Sequence, residues 1–100
     1  MNKKQFNNIA KALSDPRRLE ILKVIAESGE ISCGTIADRF PVGQSTVSHH
    51  LKLLADSGLV SVRREGQHGF YSANPDIFEE YIKELQEVIF NSDSKRDMVE

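Results

Sequence analysis

Residues 44–58 have the sequence QSTVSHHLKLLADSG, in which apolar side chains recur at the spacing of an α-helix. The apolar stripe consists of Val47, Leu51, Leu54 and Ala55. Gly58 stands where a glycine in a left-handed conformation commonly ends a helix. The sequence therefore predicts an amphipathic helix from Gln44 to Ser57.

The face opposite this stripe carries short hydrogen-bonding groups and one cation, namely Ser45, Ser48, His49 and Lys52. Short side chains let a helix approach the base edges of a DNA major groove, and the first turn offers free N–H groups to phosphate. We expect these residues, together with Gln44 and Thr46, to contact DNA. In an isolated helix such a face is more often simply solvated, so the neighbouring elements decide between the two interpretations.

Two adjacent histidines take different positions on this helix, because successive residues point about 100° apart. His49 faces outward and is predicted to contact DNA. His50 flanks the apolar stripe, which favours a partly buried packing or hydrogen-bonding role over contact with a base.

The residues before this helix predict a partner for it. Ser32 can cap a short third helix that runs to about Phe40, and Pro41 prevents its continuation. Two helices joined by so short a turn are typical of a helix-turn-helix.

Two further helices are predicted nearer the N-terminus. The second helix, residues 16–28, begins after the capping residue Asp15 and ends at Gly29. It is apolar nearly all round, so we expect it to be buried at the centre of the domain. The first helix has an apolar face formed by Phe6, Ile9, Ala10 and Leu13.

From Leu59 the periodicity changes to two, which is typical of β-strands, and Gly66 and Gly69 flank the tip of a predicted hairpin. Basic and polar side chains bracket this tip: Arg63, Arg64, Gln67 and His68. We interpret the hairpin as a wing that touches phosphate or the minor groove. The alternative is a loop that only contributes to solubility.

Asn74 and Pro75 begin a last helix with one apolar face. The order of elements predicts a mainly α fold with a small β-hairpin, a winged helix-turn-helix of order α-α-α-α-β-β-α. This domain is expected to occupy residues 1–90, and the polar residues 91–100 are expected to be a frayed tail.

Three stretches of the chain carry a family pattern. They are ALSDPRRLEIL at residues 12–22, STVSHHLKLL followed by SGLV at residues 45–54 and 57–60, and RREG with a tyrosine at residues 63–66 and 71. With them the chain resembles the ArsR/SmtB family of small dimeric bacterial transcriptional repressors. The resemblance implies a winged-helix repressor whose terminal helices form a dimer interface.

A homodimer is also expected on physical grounds. One short recognition helix specifies too few base pairs, so helix-turn-helix proteins usually bind two half-sites about 34 Å apart, in an inverted repeat. The first and last helices each have an apolar face, and a chain of 100 residues has little core to cover both. The predicted interface residues are Phe6, Ile9, Leu13, Phe78, Tyr81, Ile82, Leu85 and Ile89. The alternative is that both faces simply close over the second helix.

Many members of the resembled family bind a regulatory metal, but their ligand patterns are not matched here. Ser32 and Gly34 stand where two cysteines begin the third helix, and the single Cys33 lies between them. A second family site uses Asp and His on the last helix, where Asp76 is present but residues 76–100 contain no histidine. We therefore expect no metal and no cofactor, and the effector is left open.

Cys33 is either a small buried apolar residue or, less favoured, a redox switch.

Charge is distributed unevenly along the chain, whose formal net charge is −2. Residues 39–73 carry four basic and two acidic residues and all three histidines, whereas residues 74–100 carry three basic and eight acidic residues. A net negative chain can therefore still present a positive surface to DNA.

No signal region, membrane span or catalytic constellation is recognisable, so we expect a cytoplasmic protein that is not an enzyme. The alternative function is a winged-helix module that binds protein without reading DNA.

Overall fold

The computed structural model describes residues 1–90; the predicted tail, residues 91–100, lies outside the described residues. Within residues 1–90 the chain forms five helices and three strands. In chain order they are α1 (Lys3–Leu13), α2 (Pro16–Ser28), β1 (Ile31–Ser32), α3 (Cys33–Asp38), α4 (Gln44–Ser57), β2 (Val60–Glu65), β3 (His68–Ala73) and α5 (Pro75–Phe90). The mainly helical fold with a β-hairpin, in the order of a winged helix-turn-helix, is confirmed.

Most helix ends follow from local chemistry. The Asp15 carboxylate accepts hydrogen bonds from the backbone N–H groups of Arg17 and Arg18 at 2.8 and 3.1 Å, which caps α2 as predicted. Gly58 adopts φ 87° and ends α4 in the left-handed conformation. The expected end of α3 was wrong, because the helix stops at Asp38 and a tight turn carries the chain through Phe40.

The hairpin of β2 and β3 is antiparallel, with Val60 opposite Ala73 and Glu65 opposite His68. A short third strand, β1, pairs with β3 and gives the sheet order β1-β3-β2. The sequence did not predict β1, because two residues are too short to show an alternating pattern. This strand ties the wing to the start of α3.

The core lies where α2 meets α1, α3 and α4. Its largest side chains without exposed surface include Ile21 and Ile25 of α2, Ile36 of α3, and Leu51 of α4. The expected position of α2 at the centre of the domain holds for the face that carries Ile21 and Ile25, but it is wrong for the face that carries Leu19, which is 49% exposed. One side of α2 therefore remains open at the surface.

Helix α5 packs on the rest of the chain through part of its apolar face. The Tyr81 ring lies against Phe6 of α1, with 5.0 Å between ring centroids. The N-terminal ammonium of Met1 lies 3.2 Å from Glu80 and 3.5 Å from Glu84. Among residues 1–90, no helix combines the length and apolar character needed to cross a membrane.

Candidate nucleic-acid interface

Helix α4 presents a polar face to solvent and a buried face to the core. Val47, Leu51 and Leu54 have no exposed surface. The residues of the opposite face, which we call the recognition face, are all exposed: Gln44, Ser45, Thr46, Ser48, His49 and Lys52. All six predicted α4 residues are thus accessible from solvent, and Gln44, Ser48 and Lys52 also line one groove.

The first turn of α4 is open to a ligand. Gly43 is the N-cap residue, and its carbonyl oxygen accepts from the backbone N–H groups of Thr46 and Val47 at 3.1 Å. Gly43 has no side chain that could cap the helix, so the N–H groups at the very start of α4 face solvent. A helix N-terminus with exposed N–H groups attracts anions such as phosphate.

Lys52 is the cation of the recognition face. Its Nζ lies 3.1 Å from Asp56 Oδ2, one turn later on α4, and its side chain is 72% exposed. An exposed pair of this kind contributes little free energy, about 0.3–0.5 kcal/mol. The ammonium can therefore leave Asp56 for a phosphate at small cost.

The two arginines of the wing differ in their partners. Arg63 donates two hydrogen bonds to Glu30 at 3.1 and 3.0 Å and one to Glu65 at 2.8 Å, and its guanidinium lies 4.8 Å from the centre of the Phe70 ring. These hydrogen bonds raise the pKa of Arg63 and lower that of Glu30. Arg63 therefore fastens the wing to the turn before β1, and its donors are largely occupied.

Arg64 points to the other face of the hairpin, because successive strand residues alternate in direction. It makes no ion pair with any residue of the described part of the chain. It lines a groove of about 540 Å³ between α4 and the wing, which we call the α4–wing groove. Gln44, Ser48 and Lys52 line the same groove from the α4 side, and Gln67 lines it from the hairpin tip.

The α4–wing groove therefore combines two cations with amide and hydroxyl groups, which is the chemistry that holds a phosphate backbone. Asp56 also lines it and is its acidic member. Of the predicted wing residues, Arg64 and Gln67 belong to this groove, and Arg63 does not. His68 is exposed at the start of β3, opposite Glu65 in the hairpin.

Cys33 lies at the edge of the α4–wing groove rather than deep in the core. Its side chain is half-buried, and its Sγ is 3.7 Å from the hydroxyl oxygen of Ser48. It packs against the core but keeps part of its surface exposed, so the favoured interpretation of a small buried apolar residue is only partly met.

His50 is buried, with 8% of its surface exposed, and its Nδ1 lies 3.1 Å from Nη1 of Arg18. The predicted packing or hydrogen-bonding position of His50 is confirmed. Sequence reasoning missed Arg18, because nothing in the run Asp15-Pro16-Arg17-Arg18 shows which arginine turns inward.

The predicted dimer residues divide into buried and exposed groups. Ile9 has no exposed surface and Tyr81 is 6% exposed, so both lie inside their own chain and have little area for a second copy. Phe6, Leu13 and Leu85 are half-buried. The other predicted interface residues, Phe78, Ile82 and Ile89, are exposed. Leu19 and Val88, which were not predicted, are exposed as well. We call these five residues the exposed apolar surface.

An apolar pocket of about 480 Å³ lies beside this surface, between α2, the base of the hairpin and α5. Leu22 and Ala26 line it from α2, and Phe78 lines it from α5. Leu19 stands one turn before Leu22 on the same side of α2, so the pocket connects the α2 and α5 parts of the exposed apolar surface.

Within residues 1–90, no three side chains of the His, Cys, Asp and Glu types are grouped so that they could hold a metal ion.

Comparison with known proteins places this geometry in a family. A family model described as a helix-turn-helix domain matches residues 13–63. The arsenical resistance operon repressor of Staphylococcus xylosus is 39% identical over 93 residues, which are 93% of this chain and 88% of that protein. The transcriptional repressor SdpR of Bacillus subtilis is 34% identical over 89% of this chain and 98% of its own length.

Solved structures agree with the sequence comparison. An ArsR-like transcriptional regulator from Rhodococcus sp. RHA1 superposes with a TM-score of 0.80 at 25% identity, over 96% of this chain and 90% of that one. A homodimeric winged helix-turn-helix DNA-binding domain from Mycobacterium bovis is described as a possible ArsR-family regulator. It superposes with a TM-score of 0.69 at 32% identity, over 91% of this chain and 82% of that one. The chain belongs to the ArsR family of winged helix-turn-helix transcriptional regulators.

Proposed function

We propose that this regulator is a cytoplasmic repressor that binds double-stranded DNA as a homodimer, with α4 in the major groove. The observation that carries the proposal is the recognition face: six exposed polar residues lie on the side of α4 opposite Val47, Leu51 and Leu54, which have no exposed surface. A buried stripe fixes the helix, and short polar side chains allow close approach to base edges.

Base recognition is assigned to the N-terminal half of α4. Ser45, Ser48 and His49 project from the exposed side of the helix. Hydroxyl and imidazole groups both donate and accept hydrogen bonds, so they can pair with base edges of either type. Gln44 and Thr46 flank them in the first turn.

Phosphate contacts are assigned to the α4–wing groove, through Lys52 and Arg64, with Gln67 and His68 at the hairpin tip. Arg63 is assigned a different role, because Glu30 and Glu65 already occupy its donors. It holds the wing in place so that its neighbour Arg64 faces the groove.

The exposed apolar surface is assigned to contact with a second copy of the chain. Phe78 is 40%, Ile82 38% and Ile89 55% exposed on α5, and leaving a contiguous apolar area of this kind in water is unfavourable. A two-fold pair also supplies the second recognition helix that an inverted repeat requires. The Mycobacterium bovis neighbour is described as homodimeric.

Selection from random double-stranded DNA tests this function. Bound fragments should contain an inverted repeat with half-site centres about 10–10.5 base pairs apart, or a multiple of this. The double variant Ser48→Ala with His49→Ala should enrich this repeat much less strongly than the wild-type chain does. The matched double variant Glu79→Ala with Glu87→Ala, on the exposed side of α5, should recover the wild-type repeat. Absence of any enriched sequence with the wild-type chain would contradict the proposal and favour a module that binds protein.

A further inference from the structure

Arg18 is a buried cation with three hydrogen-bond partners. It is 7% exposed, and its guanidinium donates to the carbonyl oxygen of Ala12 at 2.8 Å and to that of Lys11 at 3.2 Å. Both carbonyls lie at the end of α1, where the helix dipole attracts positive charge. A third nitrogen, Nη1, lies 3.1 Å from Nδ1 of His50 on α4. Arg18 thus connects α1, α2 and the recognition helix at one point.

The direction of the third hydrogen bond is fixed by chemistry. A guanidinium has only donors, so Nδ1 of His50 must accept, and the ring proton of neutral His50 is on Nε2. A protonated imidazole donates from both ring nitrogens and cannot accept. Protonation of His50 therefore removes this hydrogen bond and sets two cations against each other at the same distance.

Several charged groups face His50. Burial lowers the pKa of His50 below the ordinary value of 6.5, and the positive charges of Arg18, His49 and Arg17 lower it further. The Asp15 carboxylate, in the linker between α1 and α2, acts in the opposite direction. On its α1 side the Arg18 guanidinium donates hydrogen bonds to two backbone carbonyl oxygens. The balance favours neutral His50 in the folded chain.

The position of His50 makes this contact relevant to DNA. It directly precedes Leu51 of the buried stripe and directly follows His49 of the recognition face. Without the hydrogen bond between Arg18 and His50, α4 can shift or rotate. A displacement of about 1 Å is enough to misalign hydrogen bonds between the helix and DNA bases.

We propose that Arg18 and His50 are a positioning pair that fixes the recognition helix for DNA, and that the pair holds only while His50 is neutral. The regulator should consequently lose operator affinity at acidic pH. This inference rests on the proposed function, since it concerns the same helix.

The sign of the pH effect follows from the lowered pKa. Well above pH 6.5 His50 is largely neutral whether the chain is folded or unfolded, and the pair is intact. As the pH falls from 6.5 through the lower pKa of the folded chain, protonation favours states in which the pair is open. Both DNA affinity and the free energy of unfolding should decline over that interval.

The test measures affinity for the selected operator at pH 7.5, 6.5 and 5.5 and constant ionic strength, for wild type and His50→Asn. Asparagine places an acceptor oxygen near the position of Nδ1 and does not titrate. The wild type should lose between about twofold and tenfold more affinity than His50→Asn at pH 5.5, the upper value being set by an ordinary His pKa of 6.5. Superimposable pH profiles would overturn the positioning pair.

His49→Asn is the matched control, because His49 is the exposed neighbour on the same helix. It should bind more weakly, yet it should keep the acidic loss of affinity. Loss of the acidic effect in this variant instead would assign the effect to His49 and overturn the proposal.

A titration without DNA gives an independent result should His50→Asn fail to fold. In the wild-type chain the NMR signal of the His50 imidazole should titrate below pH 6.5, and in Arg18→Met its midpoint should rise. A wild-type midpoint at or above 6.5 would overturn the proposal. A chain that binds no duplex at any pH overturns both this inference and the proposed function, whereas equal pH profiles with intact binding overturn only the positioning pair.

Discussion

Arg63 and Arg64 are neighbours in the sequence but have different surroundings. Arg63 is bound on two sides by carboxylates and lies over an aromatic ring, so its charge is already compensated. Arg64 has no carboxylate partner among residues 1–90 and faces the α4–wing groove. A sequence pattern cannot separate the two, because the separation depends on Glu30, which is distant along the chain.

This difference predicts different salt dependence for two alanine variants. Arg64→Ala should weaken binding to all duplexes and reduce the slope of log affinity against log salt by about one, the value for one lost phosphate contact. Arg63→Ala should leave the slope near that of the wild type and lower the melting temperature slightly. Titrations at four salt concentrations measure both slopes. Equal losses of slope in the two variants would contradict the assignment.

At the scale of single elements, the junction after α4 requires a glycine at position 58. Gly58 has φ 87°, and a Cβ placed on it would lie 2.8 Å from Nε2 of Gln5. The Gln5 side chain is itself engaged, since it donates to the carbonyl oxygen of Ser57 at 3.3 Å. This glycine therefore sets the direction in which the chain leaves the recognition helix for the wing.

Gly58→Ala should destabilise the fold by at least about 1–2 kcal/mol, the cost of a left-handed conformation for a residue with a Cβ. Gly34→Ala is the matched control, because Gly34 lies in α3 with open space around it and no positive φ. Alanine there should be neutral or stabilise by up to about 1 kcal/mol. Denaturant unfolding measures both, and a Gly58→Ala protein as stable as Gly34→Ala would refute this account of the junction.

The elements that could be predicted from the sequence are those governed by neighbours along the chain. The bounds of α4 follow from its apolar period and Gly58, and the hairpin follows from alternation and glycines. Strand β1 and the contact of Arg18 with His50 could not be predicted, because each joins residues far apart in the sequence. The same reason explains why Ile9, which was expected in the dimer interface, is instead fully buried within its own chain.

At the scale of the whole molecule, positive and negative charges lie on different parts of the surface. The α4–wing groove contains Lys52 and Arg64, whereas α5 carries the exposed acidic residues Glu79, Glu80 and Glu87. On the proposed function, a chain with a formal net charge of −2 should be oriented by the electric field of DNA, with α4 and the wing toward the duplex and the acidic face of α5 away from it. Nonspecific binding should therefore be weak and strongly dependent on salt.

Assembly can be tested on the exposed apolar surface. Light scattering at micromolar concentration should give the mass of a dimer for wild type, and Ile82→Glu should give a monomer because a charge would be buried at the contact. Lys83→Glu introduces the same residue at the next, exposed position of α5 and should remain dimeric. A wild-type monomer, or a dimeric Ile82→Glu, would show that this surface does not hold two copies together.

The recognition face of α4 is proposed to read base sequence. The most direct test is the ratio of affinities for the selected operator and a scrambled duplex of equal length at one salt concentration. The ratio should be on the order of 10³ or more for wild type. It should fall about fivefold to a hundredfold in the Ser48→Ala, His49→Ala variant, while Arg64→Ala weakens both duplexes and changes the ratio by less than about twofold. A wild-type ratio near one, or a ratio unchanged in the α4 variant, would contradict the account.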